Sequence, residues 1–184
     1  DPHRTSPYQY YQFWLRTADD DVIRMLRYFT FLSMEEITDL EANHKQQPEK
    51  REAHTRLAEE MTRLVHGEEG LRSARRGTAV FFGGLLDDVS ADELTSIFSD
   101  VPSYTLHIQQ LSAGLSLADL CAESGFTKSR GDARRLVESG GLYLNQIKVT
   151  DRNRMVTVDD FRYGRFLVLR SGKRNYYLVV LSGE

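Results

Sequence analysis

Basic side chains with the spacing of a phosphate-binding surface cluster near residue 130 of this 184-residue chain. Arg130 and Arg134 are four residues apart, so they share one face of the helix that Ser129 begins as N-cap, with Arg135 beside them. Lys128 lies at the entrance to that helix, where free N–H groups add partial positive charge. Because the planar arginine fork can hold a phosphate through two hydrogen bonds, this pattern indicates binding of a polyanion.

A second basic group follows at the turn of a predicted C-terminal hairpin, where Arg170, Lys173 and Arg174 come together in sequence. A solvated charged face is the alternative interpretation of any such run. The distribution of charge favours binding, because residues 1–105 carry a net charge of −7 and residues 106–184 carry +4. A basic segment on an otherwise acidic chain predicts that this segment has an anionic partner.

Other chemistry finds little support in the sequence. The five histidines show no H-x-x-x-H or H-x-x-H spacing and the single cysteine has no C-x-x-C partner, so we predict no metal site. No G-x-S-x-G, G-x-x-x-x-G-K-[ST] or G-x-G-x-x-G motif occurs, which argues against a self-contained hydrolase or nucleotide-binding enzyme. Cys121, between two apolar neighbours, is predicted to be a core residue rather than a reactive thiol. No catalytic residue and no bound cofactor are predicted.

Successive helices are predicted over residues 1–98, because capping signals precede apolar residues at helical spacing. Capping boxes begin at Ser33 and at Ser90, and Gly67 is placed to end a helix with positive φ. The aromatic residues of the first helix cover more than one of its faces, so we expect most of that helix to be buried.

The pattern changes near Pro102, and we predict a linker over about 99–114 with a short strand inside it. Two short helices, short strand-like segments and a closing hairpin follow. The domain prediction is therefore a helical domain at 1–104 and a small α+β domain at 105–184. No run of about 18 apolar residues and no signal-peptide pattern occur, so no membrane association is expected. The chain begins at Asp1 without methionine, and we expect it to be a piece of a longer protein.

Residues 116–151 resemble the αL RNA-binding module of a small-subunit ribosomal protein. The motifs are Leu117-Ala118-Asp119-Leu120, then Ser129-Arg130 with Ala133-Arg134-Arg135, then Gly141-Leu142-Tyr143-Leu144-Asn145. The sequence departs from the module at Gln146, where glycine is usual. This resemblance implies RNA as the anionic partner.

The rest of the chain resembles the anticodon-binding and C-terminal regions of bacterial or mitochondrial tyrosyl-tRNA synthetases. The matching segments include Thr5-Ser6-Pro7-Tyr8, Phe29-Thr30-Phe31-Leu32, Leu64-Val65-His66-Gly67 and Gly172-Lys173-Arg174-Asn175-Tyr176. The resemblance implies a mainly α fold followed by a small α+β one: a helical anticodon-binding bundle, then a ribosomal-protein-like αL RNA-binding module with a C-terminal β-hairpin.

The resemblance also implies what the whole protein does. Such an enzyme activates tyrosine with ATP and magnesium and transfers it to its tRNA, as a homodimer joined through a catalytic domain. That domain's H-I-G-H and K-[FM]-[GS]-K-[ST] motifs do not occur here, so the chain alone should be monomeric and should not activate tyrosine. The expected partner is tyrosine tRNA, and the expected compartment is the cytoplasm, or the mitochondrial matrix of a eukaryote. RNA contact is carried onto Lys128, Ser129, Arg130, Arg134, Arg135, Arg170, Lys173 and Arg174.

Two alternatives remain open from the residues. A stand-alone RNA-binding protein of ribosome-associated or stress type would use the same module without a ligase role. An acidic interaction domain would instead use the −7 segment to bind a protein.

Overall fold

The computed structural model describes residues 5–82, 84, 86, 89–173 and 175–183. The chain divides into two compact units, Asp1–Thr78 and Ala79–Glu184, which we name the helical unit and the sheet unit. A helical part followed by a small mixed sheet confirms the predicted fold class. No helix of the described residues has both the length and the apolar character to cross a membrane.

Capping bonds mark the starts of two of the first three helices of the helical unit, whereas Asp21, the N-cap of the helix at Val22–Phe29, makes no side-chain capping bond. The Ser6 hydroxyl accepts a hydrogen bond from Gln9 N at 3.2 Å, and Ser33 and Glu36 form the predicted capping box. The helices are α1 (Pro7–Leu15), α2 (Val22–Phe29), α3 (Met34–Gln46) and α4 (Glu52–Val80), with a 3₁₀ turn at Pro48–Lys50.

Gly67 interrupts α4 as the sequence predicted. Its φ of 69° and ψ of −175° are non-helical, so α4 consists of two helical segments that meet at this residue. A Cβ atom on Gly67 would meet nothing within 4 Å. Backbone conformation, rather than crowding, is therefore the reason for glycine here.

The core of the helical unit lies between α2, α3 and α4. Its buried members are Val22, Leu26, Ile37, Ala53, Leu57 and Met61. The prediction that α1 is mostly buried is wrong for Phe13, which is 67% exposed, whereas Tyr11 is buried. A nine-residue helix has room for one buried stripe, so Phe13 faces outward while Tyr10 and Trp14 are only partly buried against the core.

The sheet unit combines short helices with two sheets. Its helices are α5 (Ala91–Ile97), α6 (Ile108–Ser112), α7 (Leu117–Glu123) and α8 (Arg130–Glu138). Its strands are β1 (Ser103–His107), β2 (Leu115–Ser116), β3 (Leu142–Leu144), β4 (Ile147–Lys148), β5 (Met155–Val156), β6 (Phe166–Ser171) and β7 (Asn175–Ser182). The larger sheet has the order β1-β7-β6-β3-β4, and β2 pairs with β5 in a second sheet.

Strand β1 falls inside the segment that was expected to be a linker. It pairs in parallel with β7, from Ser103 opposite Leu178 to His107 opposite Ser182. The other pairings of the larger sheet are antiparallel, including the predicted β6–β7 hairpin. Residues 103–112 therefore form β1 and α6. The domain boundary between residues 104 and 105 stays a prediction.

The core of the sheet unit joins α7 and α8 to the larger sheet. Its fully buried members include Leu120 and Cys121 of α7, Ala133 of α8 and Leu142, Leu167, Leu169 and Val179 of the sheet. Because α8 turns its small apolar residues toward this core, its basic residues face away from it.

Candidate nucleic-acid interface

Helix α8 begins where the sequence predicted, with Ser129 as N-cap. The Ser129 hydroxyl accepts a hydrogen bond from Asp132 N at 3.1 Å and donates one to Asp132 Oδ2 at 2.8 Å. These bonds fix the first turn of the helix, and they hold Lys128 at its entrance. Lys128 is exposed.

The two faces of α8 separate apolar from basic residues. Ala133 and Val137 are 1% and 8% exposed, whereas Arg130, Arg134 and Arg135 are exposed. The four-residue spacing thus produces a basic face, which we name the α8 basic face and define as Lys128, Ser129, Arg130, Arg134 and Arg135. The sequence predicted this arrangement because a helix of period 3.6 admits no other.

The cations of the α8 basic face differ in their partners. Arg130 pairs with Asp119 of α7, and Arg135 pairs with Asp132 one turn earlier on its own helix. The Ser129 hydroxyl and then Arg135 lower the pKa of Asp132, so its carboxylate stays charged. Among the described residues Lys128 and Arg134 have no ion-pair partner, which leaves them the most available cations of this face.

Arg170, the first residue of the second basic group, is held inside the sheet unit. Its guanidinium lies 3.6 Å from the centre of the Tyr143 ring, and its Nε donates to Gln146 Oε1 at 2.9 Å. Lys173 is exposed at the β6–β7 turn. Arg174 lies outside the described residues. Of the described pair, Lys173 presents its charge to solvent and Arg170 is partly engaged by the protein.

Gln146, which accepts the hydrogen bond from Arg170, is itself anchored within the sheet unit. It has φ of 70° in the turn between β3 and β4, where the related module usually has glycine. Its Nε2 donates to Val80 O at 2.9 Å, and the Tyr176 hydroxyl donates to the same carbonyl at 2.8 Å. The sequence shows the departure from glycine at Gln146. It does not reveal the hydrogen bonds to Val80 O, because these join residues up to 96 positions apart.

The two basic groups lie at opposite ends of α8. Gly172 N, in the β6–β7 turn, donates to Gly141 O at 3.0 Å, and Gly141 follows the C-terminal end of α8. Lys128 lies at the other end. A helix of nine residues is about 14 Å long, so the two groups can contact different phosphates of one nucleic acid.

A cavity of about 490 Å³ opens beside the β3–β4 turn. Lys148, Arg154 and Arg162 line it together with Asp159 and Asp160. Arg154 pairs with the buried Asp160 at 2.5 Å, so this cation of the cavity is balanced locally. Its mixed charge makes it a weaker site for a polyanion than the α8 basic face.

Cys121 is buried at 0% exposure, and burial raises the pKa of its thiol to about 12. The thiol is therefore protonated at neutral pH, as expected for the core residue that the sequence predicted.

Comparison with known proteins identifies the family. Residues 93–179 match the tyrosine–tRNA ligase SYY-like C-terminal domain, and residues 1–83 match the class I tRNA synthetases for tryptophan and tyrosine. A tyrosine–tRNA ligase of Roseiflexus castenholzii is 48% identical over 98% of this chain and 43% of its own length. The chain corresponds to the C-terminal region of bacterial-type tyrosyl-tRNA synthetases. The family resemblance predicted from the sequence is thereby confirmed.

Other tyrosyl-tRNA synthetases are also similar to this chain. The tyrosine–tRNA ligase of Geobacillus kaustophilus is 44% identical over 97% of this chain and 42% of its own length. A solution structure of a tyrosyl-tRNA synthetase C-terminal domain aligns with 54% of this chain and 96% of its own, at 29% identity and a TM-score of 0.44. The 184 residues span about two-fifths of the length of these synthetase relatives.

Proposed function

We propose that this chain docks tyrosine tRNA for a tyrosyl-tRNA synthetase, with the α8 basic face as its principal phosphate-binding surface. The observation that carries the proposal is the exposed pair Lys128 and Arg134, without ion-pair partners among the described residues, in a segment that matches the synthetase C-terminal domain. Phosphate contacts of this kind fix the position of a nucleic acid without reading its bases.

Lys128 and Arg134 supply the strongest expected contacts. Arg130 and Arg135 must give up part of their pairing with Asp119 and Asp132 to reach a phosphate. Both of these arginine side chains are well exposed, at 65% and 71%, so their ion pairs are cheap to rearrange. Ser129 adds a hydroxyl beside the helix N-terminus.

The turn between β6 and β7 provides the second contact region. Lys173 is exposed there and Arg174 follows it in sequence. Arg170 contributes charge to this region while its stacking on Tyr143 holds it in place. Contacts at both ends of α8 would set the direction of the RNA across the sheet unit, which one cluster alone could not do.

The helical unit is proposed to lie against the anticodon arm, and the sheet unit against the anticodon stem or a variable arm. In the whole enzyme, tyrosine would be activated with ATP and magnesium in a catalytic domain that these 184 residues do not contain. Two such enzymes would associate through that domain, while the 184-residue chain by itself would be monomeric. The proposed compartment is the cytoplasm, or the mitochondrial matrix in a eukaryote.

Binding of fluorescently labelled tyrosine tRNA to the 184-residue chain tests this function. We expect preference for tyrosine tRNA over another elongator tRNA and over a ribosomal RNA fragment, with an affinity that falls steeply with salt. Lys128→Ala combined with Arg134→Ala should lower the magnitude of the salt slope by roughly 1.4–1.8, because each lost phosphate contact removes about 0.7–0.9.

Arg24→Ala is the matched control, because Arg24 is an exposed arginine of the helical unit that pairs with Asp21 at 2.6 Å. It should leave the slope unchanged. Equal affinity for the ribosomal RNA fragment would favour the stand-alone RNA-binding protein instead. An unchanged slope in the double variant would refute the role of the α8 basic face.

A further inference from the structure

The helical unit contains a group of side chains that the RNA-binding surface does not use. Asp19 precedes α2, His44 lies near the end of α3, and His54 lies in the first turn of α4. One ring nitrogen of each histidine and one carboxylate oxygen of Asp19 all lie within 4.8 Å of one another. The members come from three separate elements, so no short histidine spacing could reveal the group from sequence.

His54 is the anomalous member. It is completely buried, at 0% exposure, yet neither of its ring nitrogens makes a hydrogen bond of normal geometry. Its Nε2 faces Asp19 Oδ1 at 3.1 Å, and the backbone of Thr17 also interacts with the ring. Buried polar atoms in native proteins nearly always have a partner, so a bound ion beside Asp19 and His54 would complete the contacts of this imidazole.

The surroundings of His44 are compatible with those of a metal ligand. Its Nε2 lies 3.3 Å from the backbone carbonyl oxygen of Asp19, and its Nδ1 is buried without a hydrogen-bond partner. Donation of the Nε2 proton to that carbonyl leaves the lone pair on Nδ1. Metal-bound histidines commonly donate their other ring N–H to a backbone carbonyl in this way.

The carboxylate of Asp19 also suits a cation, because carboxylate oxygen and imidazole nitrogen are both common zinc ligands. The Asp19 side chain is 61% exposed and remains free to turn toward an ion.

We propose that Asp19, His44 and His54 form a binding site for a divalent transition-metal ion, with Zn²⁺ as its occupant. Two imidazoles and one carboxylate are a common set of protein ligands for four-coordinate zinc, with water in the fourth position. Imidazole nitrogen suits zinc and its neighbours in the periodic table, whereas Mg²⁺ and Ca²⁺ prefer oxygen ligands. An ion held here would link the loop before α2 to α3 and α4.

The three ligand atoms need to move only modestly closer together to bind one zinc ion. Ligand atoms about 2.0–2.1 Å from a tetrahedral zinc ion lie about 3.3 Å from one another. The His54–Asp19 distance of 3.1 Å already matches that value, and the exposed Asp19 side chain can move to shorten the others. Arg51 opposes the site, because its guanidinium lies 3.4 Å from the same Asp19 oxygen and competes with the ion for it.

Titration of the 184-residue chain, prepared without a histidine tag, with ZnCl₂ tests the proposal by calorimetry and thermal unfolding. We expect one ion per chain and a rise in Tm, because a ligand that binds only the folded state stabilises it. MgCl₂ at the same concentration should produce no rise. Co²⁺ should give the visible absorption of a tetrahedral site.

Asp19→Asn and His44→Gln are the decisive variants, since both positions are accessible enough for the fold to persist, which circular dichroism verifies. Each removes a direct ligand, so it should weaken zinc binding by at least the roughly tenfold to hundredfold that loss of an outer-shell partner costs, and it should remove the cobalt absorption. His107→Gln, which removes a histidine of the sheet unit, should bind as the parent chain does. Arg51→Met should tighten binding, because it removes the competing cation.

Absence of zinc-dependent stabilisation in the parent chain would overturn the proposal. Parent-like binding by Asp19→Asn and His44→Gln would overturn it equally, since zinc would then lie elsewhere. An unchanged affinity in Arg51→Met would contradict the role of Asp19. None of these results depends on tRNA binding, so the proposed function can stand or fall separately.

Discussion

The helical unit and the sheet unit use the same basic residue types in different ways. In the helical unit most exposed arginines pair with nearby acidic residues. The pairs within the described residues include Arg24–Asp21, Arg27–Glu41, Arg56–Glu60, Arg63–Glu60, Arg72–Glu69 and Arg75–Glu59. These cations are balanced on the surface that carries them, so the helical unit should contribute less to salt-dependent tRNA binding than the sheet unit.

The sheet unit leaves part of its positive charge unbalanced. Lys128, Arg134 and Lys173 are exposed and, among the described residues, have no ion-pair partner. Arg130 and Arg135 of the same helix are paired. The comparison teaches that the availability of a cation, rather than the number of cations, marks a phosphate-binding surface.

Reversing the two available charges of α8 should have the largest effect. Lys128→Glu with Arg134→Glu should lower affinity for tyrosine tRNA by about a hundredfold at physiological salt, because two phosphate contacts become repulsive. Filter binding across a salt series measures this loss. The matched control, Arg24→Glu with Arg72→Glu, reverses two balanced charges of the helical unit and should cost less than about threefold. Equal losses in the two pairs would erase the distinction between the units.

Arg170 is the basic residue of the sheet unit that the fold itself engages. Arg170→Lys keeps the charge but loses the planar stacking on Tyr143 and the Nε bond to Gln146. We expect a loss of about 1 kcal/mol in the free energy of unfolding, with tRNA affinity within about twofold of the parent. Urea unfolding and tRNA titration measure the two quantities. Lys173→Arg should alter neither, and a large loss of affinity in Arg170→Lys would make Arg170 a direct RNA contact.

Removal of the Asp132 charge should free Arg135 from its ion pair and make it available to a phosphate. Asp132→Asn removes the carboxylate that pairs with Arg135 and keeps a side chain that can bond Ser129. Affinity for tRNA should rise about threefold, and the salt slope should steepen by roughly 0.7–0.9 if Arg135 gains one phosphate contact. Asp92→Asn makes the same charge change on α5 without freeing an α8 arginine, and it should have less effect. A fall in affinity would show that the Arg135–Asp132 pair itself positions the helix.

Acid should weaken the helical unit before the sheet unit, because among the described residues three glutamates of the helical unit have lowered pKa values, against Asp132 alone in the sheet unit. Hydrogen bonds from Ser33 lower the pKa of Glu36, and bonds from Lys45 and Arg72 lower the pKa of Glu41 and of Glu69. A carboxyl group with a lowered pKa in the folded state stabilises the protein above its unfolded-state pKa and loses that contribution as pH falls through the folded value. The helical unit should therefore weaken first below about pH 4.5.

Fluorescence of the single tryptophan, Trp14, reports on the helical unit, and amide NMR signals report on the sheet unit. The effect is expected to be small, since these three carboxylates lie at the surface. Glu41→Gln should bring the two acid transitions closer together. Unfolding of the sheet unit at a higher pH than the helical unit would contradict this prediction.

Local signals in the sequence predicted much of the fold. Capping boxes at Ser33 and Ser90 and the N-cap at Ser129 define helix starts through bonds spanning three residues, so sequence alone contains them. Gly67 takes positive φ, as its residue type and its position at a helix end predicted. Asn145 and Gln146, in the turn between β3 and β4, also take positive φ. The short strand predicted inside the linker is present as β1, but its parallel pairing with β7, more than 70 residues further along the chain, has no local signal.

The sequence by itself determined the family, the succession of helices and the basic face of α8, because these follow from motifs, capping and helical period. Only the tertiary structure decided which cations are available, since Arg130 is balanced by Asp119 on another helix and Arg170 is held by Gln146 and Tyr143. It also brought Asp19, His44 and His54 together from three elements. Ion pairing and metal coordination depend on distances of a few ångströms between residues remote in sequence, and the packed fold sets those distances.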